Sequence, residues 1–243
     1  MYHGAHRFNA YRTFRHFAVS ASLILVSAAI LFAGGYFVNA PWGTITGALG
    51  LSLSRLVAGY LISLVLGIGL ALCIGVNASF GERVLPVFDV LQNIPSFALI
   101  PIFIGLLGYG STMIVIFAAT SIIWPIMFYA ASAILGARQE LSDAAYVFGA
   151  RGWKKIIYYL IPLSFPALVT GSIVGISIGW EAVIGGEIIA GTPGIGTFLN
   201  MAGESNNGRL LAIGIFTLLF VVFIISRLWW VPLLHSARKY TEA

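Results

Sequence analysis

Residues 111–135 read STMIVIFAATSIIWPIMFYAASAIL, and no charged side chain interrupts them. A helix rises 1.5 Å per residue, so about 20 residues of this character cross the roughly 30 Å hydrocarbon core of a bilayer. The same character returns on either side. The apolar runs predict six spans, at roughly 17–38, 55–76, 84–107, 111–135, 161–190 and 210–231. The fifth is long for one crossing, which suggests a tilted or broken helix. The expected fold class is an all-α membrane protein of about six transmembrane helices, forming a single domain over residues 1–243.

Composition supports this reading. The chain is 59% hydrophobic and 9% charged, against about 25% charged in soluble domains. Its mean hydropathy is +0.97. Too little polar surface remains to face water, so lipid must be the main solvent. The run at 17–38 is too long for a signal-peptide core and lacks a small-residue cleavage site, so it reads as a retained span. The net charge of +5 points to membrane orientation rather than nucleic acid, because the basic residues lie between apolar runs. The lone Cys73 allows no disulfide within the chain. Neither a metal-ligand cluster nor a catalytic set is visible, so the expectation is no metal, no cofactor and no enzyme activity.

Basic residues set the expected topology. With a cytoplasmic N-terminus, Arg7, Arg12, Arg15, Arg83, Arg138, Arg151, Lys154, Lys155, Arg227, Arg238 and Lys239 fall inside. Only Arg55 and Arg209 fall outside. Both termini are therefore expected in the cytoplasm. The uncharged stretch Pro41 to Ser54 reads as an external connection or a short interfacial helix.

The loop at about 136–160, between spans four and five, is the largest piece outside the membrane. Ser142 is a plausible N-cap, with Asp143 in the first turn against the helix dipole. Ala144, Val147 and Phe148 recur at i, i+3 and i+4, one apolar stripe beside the small Ala145. Gly149 can end the helix in a left-handed conformation. Two readings fit these residues: a helix lying on the lipid surface, or one that docks into a groove of a soluble partner.

Asp143-Ala-Ala, three residues, Gly149, nine residues and Tyr159-Leu-Ile-Pro162 resemble the EAA loop of binding-protein-dependent ABC importer permeases. That loop reads Glu-Ala-Ala, three residues, Gly, nine residues, Ile-x-Leu-Pro. Here Asp143, Tyr159 and Ile161 replace Glu, Ile and Leu. Ser54-Arg-Leu-Val-Ala-Gly-Tyr, Asn93-Ile-Pro-Ser-Phe-Ala-Leu-Ile-Pro101 and Gly179-Trp-Glu-Ala-Val-Ile-Gly-Gly-Glu187 look like the nitrate/sulfonate/taurine-type branch of that family. The resemblance implies that Asp143, Ala144, Ala145, Val147, Phe148 and Gly149 form a cytoplasmic coupling helix. It implies a non-catalytic permease subunit of the bacterial inner membrane. The implied partners are two ATP-binding cassette subunits, a second permease chain and an extracytoplasmic binding protein. Substrates in that branch include nitrate, sulfonates, bicarbonate and pyrimidine precursors.

Ionisable groups within a span suggest function. Asp89, Gln92, Asn93 and Ser96 fall at helical spacing on span three, a polar face for a water-filled path or for interhelical hydrogen bonds. Pro86, Pro95 and Pro101 are expected to bend that span. On span five, Trp180, Val183, Ile184 and Glu187 form one stripe, with Glu181 turned away. Trp180, Glu181, Ile184 and Glu187 are candidates for the translocation pathway, and the resemblance places span five beside it. Gly171, Gly175 and Gly179 read as packing glycines.

Gly194-Ile-Gly196 lacks the context of a nucleotide loop, and the chain contains no Walker A sequence. His3, His6, His16 and His235 lie near the termini and read as solvated or interfacial. A membrane-embedded enzyme would need a nucleophile or metal ligands that the spans do not supply. A secondary transporter or channel is the other alternative, and neither rival requires the 136–160 loop.

Overall fold

The computed structural model describes residues 22–29, 31–36, 39–137 and 139–238. Arg7, Arg12, Arg15, Arg138 and Lys239, counted above as cytoplasmic, lie outside the described residues, as do His3, His6 and His16. So do the side chains of His235 and Arg238.

The described part of Ser22–Tyr36 is a short apolar helix, α1. It is followed by α2 (Trp42–Val76), α3 (Ala78–Gln92), a 3-10 turn (Ser96–Leu99), α4 (Ile100–Leu107) and α5 (Ser111–Leu135). Then come α6 (Gln139–Val147), α7 (Trp153–Lys155), a π-helical segment (Ile156–Leu160) and α8 (Ile161–Ala190). The chain continues through α9 (Ile195–Glu204), α10 (Gly208–Ile225), a second π segment (Ser226–Trp230) and α11 (Val231–Arg238). Among the described residues, four helices are long and apolar enough to cross a membrane, or five if α3 and α4 make one bent span. That falls short of the six expected, because α1 is short within the described residues.

Three sequence expectations left open are decided or sharpened by the structure. Residues 41–54 are not a connection, since α2 starts at Trp42 and runs 35 residues. Its Ser and Thr hydroxyls turn back onto the helix: Thr46 Oγ1 donates to the Trp42 carbonyl at 2.7 Å, and Ser54 Oγ to that of Leu51 at 2.7 Å. Polar side chains satisfied in this way suit an apolar surrounding. Span three is not one helix but breaks between Gln92 and Ser96 with an 86° bend. Pro95 causes the break, because it has no N–H to give and holds Ile94 away from helical geometry. Pro86 is accommodated inside α3, and Pro101 sits harmlessly in the first turn of α4. Span five is unbroken from Trp153 to Ala190, with the π segment as its irregularity.

The core is built by α2, α5 and α8. A Cβ on Gly175 would stand 2.9 Å from Ile122 Cγ2, and one on Gly179 would stand 2.6 Å from Ile122 Cδ1. On Gly171 it would stand 2.8 Å from the Pro125 carbonyl oxygen. The glycines at four-residue spacing thus let α8 lie directly on α5, the packing role their spacing predicted.

Candidate functional site

One end of the α2–α5–α8 core holds a closed polar network. Glu187 of α8 is completely buried, and Arg55 of α2 is nearly so. They form an ion pair through Arg55 Nη1 and Glu187 Oε1. The same nitrogen donates to the Pro193 carbonyl at 2.8 Å, and Arg55 Nε donates to Ser111 Oγ, at the start of α5, at 3.1 Å. Ser52 Oγ lies 2.7 and 2.9 Å from the two Glu187 oxygens and accepts the Ile195 N–H at 2.9 Å. The Gly196 N–H donates to Glu187 Oε2 at 2.9 Å. A buried ion pair persists only when its remaining hydrogen-bonding capacity is met, and α2, α5, α8 and the first turn of α9 together meet it.

The local sequence explains how the chain wraps the carboxylate. Gly191, at φ +61, ends α8 in the left-handed conformation, and the Thr192 N–H reaches back to the Glu187 carbonyl. The backbone then passes so close that a Cβ on Gly194 would lie 2.2 Å from the Glu187 carboxylate. One on Gly196 would lie 2.4 Å from the Ile184 carbonyl oxygen. The two glycines dismissed as a nucleotide loop are thus the cover of the ion pair. Gly194→Ala is expected to displace Glu187 and lower the melting temperature of the purified protein. The Ala variant of Gly203, where a Cβ meets nothing within 4 Å, serves as control. Sequence reasoning missed Ser52, Arg55, Ser111 and Gly196. The available signal was Arg55 itself, a charge set in an apolar run.

The candidate pathway residues separate into two groups. Trp180 and Glu187 share a stripe with Val183, as expected, but all three are buried in their own chain. Ile184 is half-buried. Glu181 is exposed on another face of α8, which it shares with Gly185 one turn on. A Cβ on Gly185 would stand 2.2 Å from the Phe97 ring, so this face meets the break in span three. There Asp89, Gln92 and Asn93 are exposed and Ser96 is half-buried. Gln92 Nε2 donates to Asp89 Oδ1 at 2.7 Å, and Asn93 Nδ2 caps the Asp89 carbonyl. Because the helix ends at Gln92, the four do not form the single helical face expected of them. Asp89 also lines a cavity of about 780 Å³ together with Glu82, Phe128 and Ser132.

The loop helix α6 begins at Gln139, a turn earlier than Ser142 predicted, with Glu140 in its first turn. Ser142 therefore lies within the helix and is not its cap. Gly149 has φ +83, as its place after the helix required, and the Ala150 N–H closes back on the Ala145 carbonyl at 2.9 Å. Arg151 lies over the Tyr146 ring at 4.2 Å. Asp143 and Ala144 are exposed and Ala145 is half-buried. Val147 is 80% and Phe148 90% exposed, with Trp153 also bare. The short helix thus turns its largest apolar side chains away from its own chain.

Residues 59–237 match the family described as binding-protein-dependent transport system inner membrane component. Among similar proteins, the nitrate import permease protein NrtB of Leptolyngbya laminosa is 29% identical over 184 residues, covering 72% of this chain and 66% of the relative. The taurine transport system permease protein TauC of Escherichia coli is 23% identical, covering 72% of this chain and 64% of the relative. The bicarbonate transport system permease protein CmpB of Synechococcus elongatus is 26% identical, covering 71% and 61%. The chain thus aligns with about two thirds or less of each relative's length. With a match across most of its residues and apolar helices of membrane-spanning length, the chain is a member of the binding-protein-dependent transport system inner membrane component family.

Proposed function

We propose that the chain is the permease subunit of an ATP-driven importer and that α6 is its docking point for the ATP-binding subunit. The observation that carries this reading is the bare apolar end of α6, Val147 and Phe148, on a loop between two spans. A helix of this size contributes affinity by seating such side chains in a partner's groove. Asp143, Ala144, Ala145 and Gly149 give that helix its charge, its slim face and its stop. The excess of Lys and Arg on one side of the spans supports a cytoplasmic loop and cytoplasmic termini. The assembly we infer is two permease chains, two ATP-binding subunits and an extracytoplasmic binding protein.

The translocation path, in this reading, runs along Asp89, Gln92, Asn93, Ser96, Glu181 and Ile184. Carboxylates and a broken backbone at membrane depth must face water or protein, and Asp89, Gln92, Asn93 and Glu181 are exposed in one chain. A second permease chain facing them would enclose the path. Trp180 and Glu187 we assign to bracing, since both are buried within their own chain. The relatives' names point to small polar solutes: nitrate, taurine and bicarbonate. Exposed Glu82, Asp89 and Glu181 favour a neutral or zwitterionic solute over a bare anion.

The test is purification of the tagged chain from its own membranes, with the partner identified by mass spectrometry and ATP hydrolysis measured. An ATPase subunit in stoichiometric amount is expected. Its absence from an intact, monodisperse preparation would favour the secondary transporter or channel. A cysteine placed at Phe148, on a Cys73→Ala background, is expected to resist a membrane-impermeant thiol reagent in intact cells and to react in inverted vesicles. Labelling from outside would reverse the topology.

A further inference from the structure

α10 carries Arg209 in its first turn, and Arg227 follows in the adjoining π segment. They are about 27 Å apart along the axis at 1.5 Å per residue, close to the roughly 30 Å hydrocarbon thickness. Each guanidinium therefore stands near one headgroup level. Arg227 lies over the ring of Phe223, 5.7 Å from its centroid. Arg209 is exposed and makes no hydrogen bond or ion pair with another described residue.

Below Arg209, a cavity of about 560 Å³ runs between α1 and α10. Its walls are Leu31 and Gly34 of α1 and Ile213, Phe216, Leu219 and Phe223 of α10. Phe216 and Leu219 are exposed, so the groove is open to the side. At Gly34 the two helices come close, since a Cβ there would rest 3.6 Å from Ile213 Cδ1, in ordinary contact, so a larger side chain at this position would intrude on the groove. An uncompensated cation at headgroup level, above an apolar groove that descends to acyl depth, matches one molecule abundant in the surroundings.

We propose that this groove binds an anionic phospholipid, with its phosphate on Arg209 and one acyl chain laid along α10 from Ile213 to Phe223. Guanidinium suits phosphate because its donors form a planar fork. Charge and depth are both matched, whereas a helix from another protein would leave Arg209 facing apolar side chains. The inference needs only a membrane-spanning chain, and it stands or falls apart from the importer reading.

The experiment is reconstitution into nanodiscs of mixed phosphatidylethanolamine and phosphatidylglycerol, followed by delipidation and mass spectrometry of the retained lipid. Wild type is expected to retain phosphatidylglycerol in preference to phosphatidylethanolamine. Arg209→Gln is expected to lower that retention roughly fivefold, the factor one basic residue near an anionic surface contributes. Arg209→Lys should keep most of it. Gly34→Leu, which fills the groove and leaves the charge, should lower retention of both lipids. A photo-reactive side chain at Phe216 should yield lipid adducts. Equal retention by Arg209→Gln and wild type would overturn the proposal, as would adducts from Phe216 formed with a protein chain.

Discussion

Glu187→Ala is expected to unfold far more readily than wild type, by about 3–5 kcal/mol, the range for a buried pair that loses one partner. The substitution leaves the Arg55 guanidinium enclosed, with Ser111 and the Pro193 carbonyl but no counter-charge. It also strips the Gly196 N–H of its acceptor. Arg55→Ala should be comparably damaging, because it leaves the carboxylate uncompensated. Glu187→Gln should fall between, since the amide can still accept hydrogen bonds but carries no charge. The double variant Arg55→Met, Glu187→Met should recover much of the loss, because neither charge is then left alone. Thermal melting in detergent, followed by tryptophan fluorescence, orders these variants. A double variant as unstable as the worse single would show that the hydrogen bonds of the loop, and not the charge pair, carry the effect. An unchanged melt in Glu187→Ala would remove the brace and return Glu187 to the path.

Phe148→Asp is expected to abolish recovery of the ATP-binding subunit while leaving the permease itself unchanged. The side chain is 90% exposed, so its own fold loses almost nothing when it changes. An aromatic anchor at the centre of an interface is typically worth 2 kcal/mol or more on truncation, about thirtyfold in affinity, and a buried carboxylate adds a desolvation cost. Gly149→Val should act in the same direction by another route. At φ +83 a β-branched residue is strained by about 1–3 kcal/mol, and the helix end must shift. Both variants are checked by tagged co-purification together with the melting curve of the permease alone. If Phe148→Asp copurified with its ATPase at wild-type yield, α6 would not be the docking helix, and the reading of this helix as lying on the lipid surface would take its place.

The sequence was most informative where one constraint dominates. Apolar length placed spans four to six, because lipid tolerates few other solutions than a helix. Spacing alone picked out the Gly171–Gly175–Gly179 ridge and the left-handed Gly149, since each answers to local geometry. Composition misled at Pro41–Ser54, where Gly, Ser and Thr read as loop. In a membrane helix those residues satisfy their own hydroxyls and allow close packing. The break after Gln92 was visible as a proline-rich run, but its 86° angle is set by tertiary contacts, among them Phe97 against Gly185. The stripe holding Glu187 was found correctly, while its direction was not. Periodicity says which residues share a face and is silent on whether a partner helix carries the opposite charge. Arg55 was counted as a loop cation for orientation, although the rule that flagged Glu187, a charge inside an apolar run, applies to it equally.

The ion pair also constrains the order in which the chain is made. Arg55 emerges from the ribosome in the second helix and Glu187 in the eighth, so the arginine enters the bilayer long before its counter-charge exists. Alone at the centre of a helix, an arginine disfavours insertion by about 2.5–3.5 kcal/mol. The long apolar remainder of α2 is able to offset this, and the long, flexible side chain can lean toward the interface meanwhile. Only when α8 arrives and the Gly194–Gly196 cover folds over can the guanidinium be drawn inward. The network is thus expected to serve as a completion check on biogenesis. A chain truncated before residue 187 should remain inserted but loosely assembled, with an arginine still seeking water and a helix that quality-control proteases can recognise.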